Sequence, residues 1–239
     1  MSTINDRYTI RQIKAKNIKA LIRDGTSDQF VVKEVIKGNE YRRLKLRKSD
    51  RVLDFGLNIG MFTIQTALRG VAEIHSFEPD KDNFYLASKN CELNGLTLGE
   101  RVHLYNAAVV GNDDKQRPFS VNVKKNKGAH SLVHKKGRDT VMVDAVNIND
   151  IIRKVKPTVI KMDIEGGEYE CLPLIEDWTG VREFIMEFHH AHLLDIVSRE
   201  KYTELINILK GVFRNVYYRK DTKKAWVTLV YCSQEQRWY

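Results

Sequence analysis

From residue 51 onward, short apolar runs alternate with amphipathic stretches. Arg51-Val-Leu-Asp-Phe55 ends at Gly56, Ala72 to Phe77 ends at Glu78-Pro79, and His103 to Val110 forms a third run. Val159 to Met162 ends at Asp163, and Glu183 to Phe188 is the fifth run. Between them, Met61 to Leu68 reads as a helix closed by Gly70, and Asp82 to Leu93 as a helix stopped at Asn94-Gly95. A long amphipathic helix is expected from about His192 to Leu209. Strands this apolar, separated by helices, call for a parallel sheet covered on both faces. The end of the chain breaks the rhythm. Phe213–Arg219 and Trp226–Tyr231 are β-rich, and the six residues between them are too few for a crossover helix. They are expected to form an antiparallel hairpin, completing a mostly parallel, seven-stranded α/β sheet.

Two segments lie outside this frame. Residues 1–50 hold strand-like stretches at Tyr8–Ile13 and Ile18–Arg23, then Thr26-Ser27-Asp28 as a cap for a helix over Gln29–Lys37. Residues 111–157 insert β-rich runs at Phe119–Val123 and Val141–Val146 and a helix around Asn149–Val155. The expected organisation is an N-terminal basic extension (1–50) packed on a core domain (51–239) that carries the insert 111–157.

A chain of 239 residues with 42% hydrophobic content can bury one full core, which excludes a disordered, collagenous or disulfide-stapled class. Cys91, Cys171 and Cys232 are widely spaced, which suits a reducing compartment and offers no metal-type pairing. No apolar run reaches the ~18 residues of a membrane span, and the first residues lack the apolar stretch of a secretory signal. A cytoplasmic location is therefore expected. Residues 1–51 carry 14 Lys/Arg against 6 Asp/Glu, and residues 115–138 carry 8 against none. The remaining residues hold 18 basic and 25 acidic groups, so an acidic body bears two basic appendages. These are either solvated Lys-rich surfaces or a positive mouth for an anionic substrate.

Four clusters carry chemistry. Asp54-Phe-Gly56-Leu-Asn58-Ile-Gly60 joins the first strand to the first helix. Glycines there let the backbone turn tightly and approach a ligand, and the helix start offers free N–H groups. The spacing D-x-G-x-x-x-G differs from the dinucleotide fingerprint G-x-G-x-x-G. Its acid would repel a pyrophosphate but suits the cationic end of S-adenosylmethionine. Glu78, at the end of the second strand, can accept hydrogen bonds from both ribose hydroxyls. Asn106 and Ala107 fall where an adenine edge would be read. Asp163, Glu165 and Glu168 crowd three acids beside Gly166-Gly167 at the fourth strand's end, over the crevice of an open α/β sheet. Like charges this close raise one another's pKa, which favours a base, whereas acids at a helix start are also stabilised by its dipole. In Glu187-Phe-His189-His190-Ala-His192, strand alternation puts Glu187 and His189 on one side. They could hold a metal together with Asp163 or Glu165, pair as a base and its orienting acid, or simply be polar strand-end residues.

VLDFGLNIGMFT (52–63), SFEPDKDNF (76–84), IKMDIEGGE (160–168) and MEFHH (186–190) together resemble the FkbM family of S-adenosylmethionine-dependent methyltransferases. GTSDQFVVKEVI (25–36) followed by Glu40-Tyr41 resembles that family's N-terminal segment. The chain departs from it at Leu57, where the family usually has alanine. The resemblance implies a class I, Rossmann-like methyltransferase sheet and methyl transfer to oxygen, often a hydroxyl of a sugar, glycan or small natural product. It implies that Asp54, Gly56, Asn58, Gly60 and Glu78 hold the cofactor, and that Asp163 and Glu165 sit where cofactor meets acceptor. The candidates for the base are Asp163, Glu165 and His189. A divalent metal, if used, would fall to Asp163, Glu187 and His189. The basic segments favour an anionic acceptor. Two competing readings are methylation of an RNA ribose 2′-hydroxyl and a non-catalytic, cofactor-binding interaction module. Against the first, the basic stretches hold few aromatics on which bases could stack.

Overall fold

The computed structural model describes residues 9–121, 139–189, 199–220 and 227–235. A hairpin of β1 (Ile10–Ala15) and β2 (Ile18–Arg23) opens the chain. One α-turn, α1 (Asp28–Val32), continues into a π-turn over Lys33–Lys37. Ser27 occupies the cap position without a side-chain cap bond, while Thr26 Oγ1 accepts from the Asp28 N–H and the Asp28 carboxylate turns to Arg23.

The main sheet is built from β3 (Arg51–Phe55), β4 (Glu73–Phe77) and β5 (Val102–Tyr105), with α2 (Met61–Leu68) and α3 (Lys81–Leu93) between them. The third expected strand is two. After Tyr105 the chain turns, with the Asn106 Nδ2 donating to the Glu78 and Pro79 carbonyls. β6 (Ala108–Val110) then leaves the main sheet for a small one, in the order β6-β8-β7. That sheet is the insert: β7 (Gln116–Val121) and β8 (Asp139–Asn147), followed by α4 (Ile148–Val155).

The chain returns through β9 (Val159–Met162), the short α5 (Glu168–Cys171), β10 (Glu183–His189), α6 (Arg199–Val212), β11 (Asn215–Lys220) and β12 (Val227–Ser233). Seven strands lie in the order β11-β12-β10-β9-β3-β4-β5. β12 alone runs antiparallel to its neighbours, which is the expected hairpin. The His192 end of the expected long helix and the basic stretch 122–138 lie outside the described residues.

Strand alternation splits the core in two. Leu53, Phe55, Ile160, Met162, Phe184 and Met186 face α4, α5 and α6. Val52, Ile74, Val159 and Ile185 face α2, α3 and the N-terminal hairpin, whose Ala20 and Ile22 are buried there. Residues 9–50 thus share the core. Among the described residues, no helix is long and apolar enough to cross a membrane.

The order of strands fixes where a ligand can sit. From β3 the chain winds outward through β4 and β5, then starts again on the other side at β9. The turns that follow β3 and β9 therefore border the topological switch point, where a ligand can sit in a crevice over the carboxyl ends of the strands.

Candidate functional site

Gly56 brings the two halves of this crevice into contact. It has φ +91°, and an added Cβ would lie 1.8 Å from the Asp163 carbonyl oxygen, so only glycine fits. The Gly56 and Leu57 N–H groups both donate to the Phe77 carbonyl, and the Asp163 N–H donates to that of Phe55. Asn58 takes φ +53° and Gly60 φ +89°, bending the chain into the start of α2. The crevice is open, about 570 Å³ with the solvent at its mouth included, and is lined among others by Gly56, Asn58, Glu78, Ala107, Phe119 and Asp163.

Glu78 is buried at its wall. Its Oε2 accepts from the Asn58 N–H at 2.8 Å and its Oε1 from the Asp80 N–H at 2.9 Å. The Asn83 side chain is a third donor, which leaves the carboxylate room for one more. Burial, helped by the Asp80 charge, pushes this carboxyl up to about 8, against the pull of those bonds. Asn83 Oδ1 in turn accepts from Arg23 Nη2 at 2.6 Å, and Arg23 is locked to Asp28 by two guanidinium bonds of 2.8 Å. A buried polar chain thus runs from the N-terminal hairpin to Glu78.

Asp54 lies beneath the crevice. It is fully buried, with Oδ2 accepting from Thr63 Oγ1 at 2.7 Å and Oδ1 3.1 Å from Lys161 Nζ. Lys161 also donates to the Gly56 carbonyl at 2.6 Å and stands 3.9 Å from Asp163. Burial opposes its charge, but Asp54 and Asp163 outweigh it and the lysine stays protonated. The Asp54 carboxylate therefore stabilises the floor of the glycine turn and does not line the crevice.

At the other wall, Glu168 is fully buried and folds back on its own loop. Its carboxylate accepts from the Ile164 N–H at 2.9 Å and the Gly166 N–H at 2.7 Å. Between those residues Glu165 is held at φ +52°, a conformation rare for such a side chain. His189 rises from β10 into this group. Its Nδ1 lies 3.3 Å from Glu168, and its Nε2 lies 3.4 Å from Glu165 and 3.9 Å from Asp163. Burial disfavours the imidazolium, yet Glu165, Glu168 and Asp163 together raise its pKa well above the ordinary value. Ligand atoms of Asp163, Glu187 and His189 lie within 4.8 Å of one another, a set that fits a divalent cation. Tyr41, from the N-terminal extension, is buried nearby against Phe62 and the Lys161 ammonium.

The structure thus lines one crevice with Gly56, Asn58, Glu78, Ala107, Asp163 and Glu165, and sets Glu187 and His189 beside Asp163 and Glu165. Gly60 stands behind the crevice, its α-carbon side against Ala87 of α3. Asn106 spends its amide on backbone carbonyls. His190 and His192 lie outside the described residues. Sequence reasoning passed over Lys161, Tyr41, Asn83, Arg23 and Phe119. Only Lys161 had a local signal, a cation inside an otherwise apolar strand.

A family model for the methyltransferase FkbM domain matches residues 54–219. Methyltransferase sdnD of Sordaria araneosa is 25% identical over 196 residues, which cover 66% of this chain and 74% of that protein. Among solved structures, the SAM-dependent methyltransferase of Agrobacterium tumefaciens matches over 95% of this chain and 70% of its own, with TM-score 0.53 at 10% identity. TYW2 of M. jannaschii in complex with AdoMet matches over 94% and 85%, with TM-score 0.50 at 13% identity. At such identities these two structures establish the fold alone.

Proposed function

Because this chain belongs to the FkbM methyltransferase family, we propose that it uses S-adenosylmethionine to methylate a hydroxyl of a sugar, glycan or small natural product, one that is itself anionic. The observation that carries the reading is the crevice between β3 and β9, with a ribose-type acceptor, Glu78, on one wall and a cluster of acids with His189 on the other.

In this reading Glu78 would accept from the cofactor's ribose, and the glycine turn around Gly56 would face its amino-acid end. The acceptor oxygen attacks the methyl carbon in line with the sulfonium. The C–S electron pair returns to sulfur, and S-adenosylhomocysteine leaves neutral. Alignment of the reacting atoms can supply about 7–11 kcal/mol of the barrier reduction. The hydroxyl proton needs a base. His189 is held in its charged form by three carboxylates, so Asp163, at the mouth of the crevice, takes the proton. His189 orients Asp163 and Glu165. In place of that arrangement, with His189 deprotonated, a divalent cation held by Asp163, Glu187 and His189 would acidify the acceptor hydroxyl.

Two outcomes follow for cofactor binding. Glu78 accepts from the ribose only when ionised, so binding expels its proton. Affinity for S-adenosylhomocysteine is expected to rise with pH toward about 8 and level off above it. Glu78→Gln should flatten that profile and weaken binding about 10–100-fold at high pH, as titration calorimetry across pH would register. Asn83→Ala removes both the bond that orients Glu78 and the one that Arg23 Nη2 donates, and is expected to weaken binding about 5–10-fold and to cost about 1–3 kcal/mol of stability.

The acceptor is identified by incubation with methyl-labelled cofactor and a fractionated extract, followed by mass spectrometry. Label in an acidic carbohydrate or small hydroxylated product supports the proposal. Label in RNA would move the acceptor to a ribose, and no label in any fraction would favour the non-catalytic reading.

A further inference from the structure

A second cluster stands away from the crevice, on the edge of the sheet. Glu73 and His75 are two residues apart on β4, so both side chains point to the same face. His103 is the in-register partner of His75 on the edge strand β5. This E-x-H on one strand with a His directly across it brings three donors together on rigid backbone. Their ligand atoms all lie within 4.8 Å of one another. The two imidazoles stack at 4.4 Å, and His75 Nε2 lies 3.4 Å from Glu73 Oε2.

We infer that Glu73, His75 and His103 form a three-ligand site for a divalent metal of the zinc class. The donor set of two imidazoles and one carboxylate is one that zinc takes with an open fourth position. The site also has the outer support such ligands need. His75 is buried, and its Nδ1 is 3.0 Å from the Tyr105 hydroxyl, which fixes the ring and leaves Nε2 directed at the cluster. Tetrahedral donors at ~2.0–2.2 Å from a metal stand about 3.3–3.6 Å apart. A rotation of Glu73 and a turn of His103 out of its stack on His75, both side chains being partly exposed, would close the triangle around a stationary His75. Lys154 of α4 is the neighbouring cation whose charge opposes the metal.

Such a metal would tie the edge strand β5 to β4. It takes no part in methyl transfer, because the crevice lies at the carboxyl ends of these strands and the cluster lies earlier along them. The inference is independent of the proposed reaction.

The test uses the full chain, stripped with chelator and titrated with Zn²⁺, and with Co²⁺ for its visible absorption. His103→Ala and Glu73→Gln probe this site, and His189→Gln probes the crevice. Circular dichroism and S-adenosylhomocysteine binding check each variant's fold. The expected result is a zinc equivalent that survives His189→Gln and is weakened about 100-fold or more by His103→Ala, beyond the 10–100-fold usual for changes outside the ligand shell. Cobalt absorption should show nitrogen ligands in the wild type and vanish with His103→Ala. No zinc binding by the folded chain, or zinc lost only with His189→Gln, would overturn the inference.

Discussion

Lys161→Ala is expected to destabilise the protein by about 3–5 kcal/mol, the usual cost of stripping one partner from a buried ion pair. The lysine is 3% exposed and Asp54 fully buried, so water cannot replace the lost ammonium. Thr63 would remain the main donor to Asp54, and the Gly56 carbonyl would lose its lysine bond. The deficit should shrink in acid. Without Lys161, Asp54 has a folded-state pKa above its unfolded value, so the stability tied to its protonated form is present at low pH and lost as pH rises. Urea midpoints at two pH values check this. The double variant Asp54→Asn/Lys161→Met should recover much of the loss, because it removes both charges. A single-variant loss below about 1 kcal/mol, the range of a solvated surface pair, would mean that the pair does not hold the turn.

Asp163→Asn is expected to leave the fold and cofactor affinity nearly unchanged while lowering kcat about 10²–10⁴-fold, the range supplied by a positioned general base. The backbone of Asp163, which packs on Gly56 and bonds Phe55, is untouched by this change. His189→Gln should cost less and should shift the pH profile of kcat, because it alters the charge around Asp163 without removing the base. Single-turnover methyl transfer separates these effects from product release. Equal losses in both variants, with unchanged pH profiles, would place the proton elsewhere.

Much of the architecture is legible in the sequence because its signals are local. The strands β3, β9 and β10 are largely apolar runs buried on both faces, and the six residues before Val227 leave no room for a crossover. Gly56 and Glu78 are legible for the same reason, as a turn and an acid at strand ends. What sequence reasoning missed depends on partners far along the chain. The run His103–Val110 is uniformly strand-like, yet Asn106 bonds carbonyls 27 and 28 residues earlier and turns β6 into another sheet. Asp54 reads as a ligand for a cationic cofactor. Its parallel-sheet partner is Lys161, in register across β3 and β9, and that pairing takes the carboxylate into the floor. Tyr41 and Arg23 reach the site only because residues 9–50 fold onto the core. Of the basic run 115–138, residues 122–138 lie outside the described residues.

The central claim is that the crevice beside Gly56 and Glu78 is a cofactor site. It is tested most directly by calorimetric titration of S-adenosylhomocysteine into the wild type and Glu78→Ala at pH 8.5, above the pH of about 8 at which Glu78 ionises. The account predicts one site per chain, with affinity at least about tenfold weaker in the variant. Absent binding to the folded wild type, or equal affinity in both proteins, would contradict it.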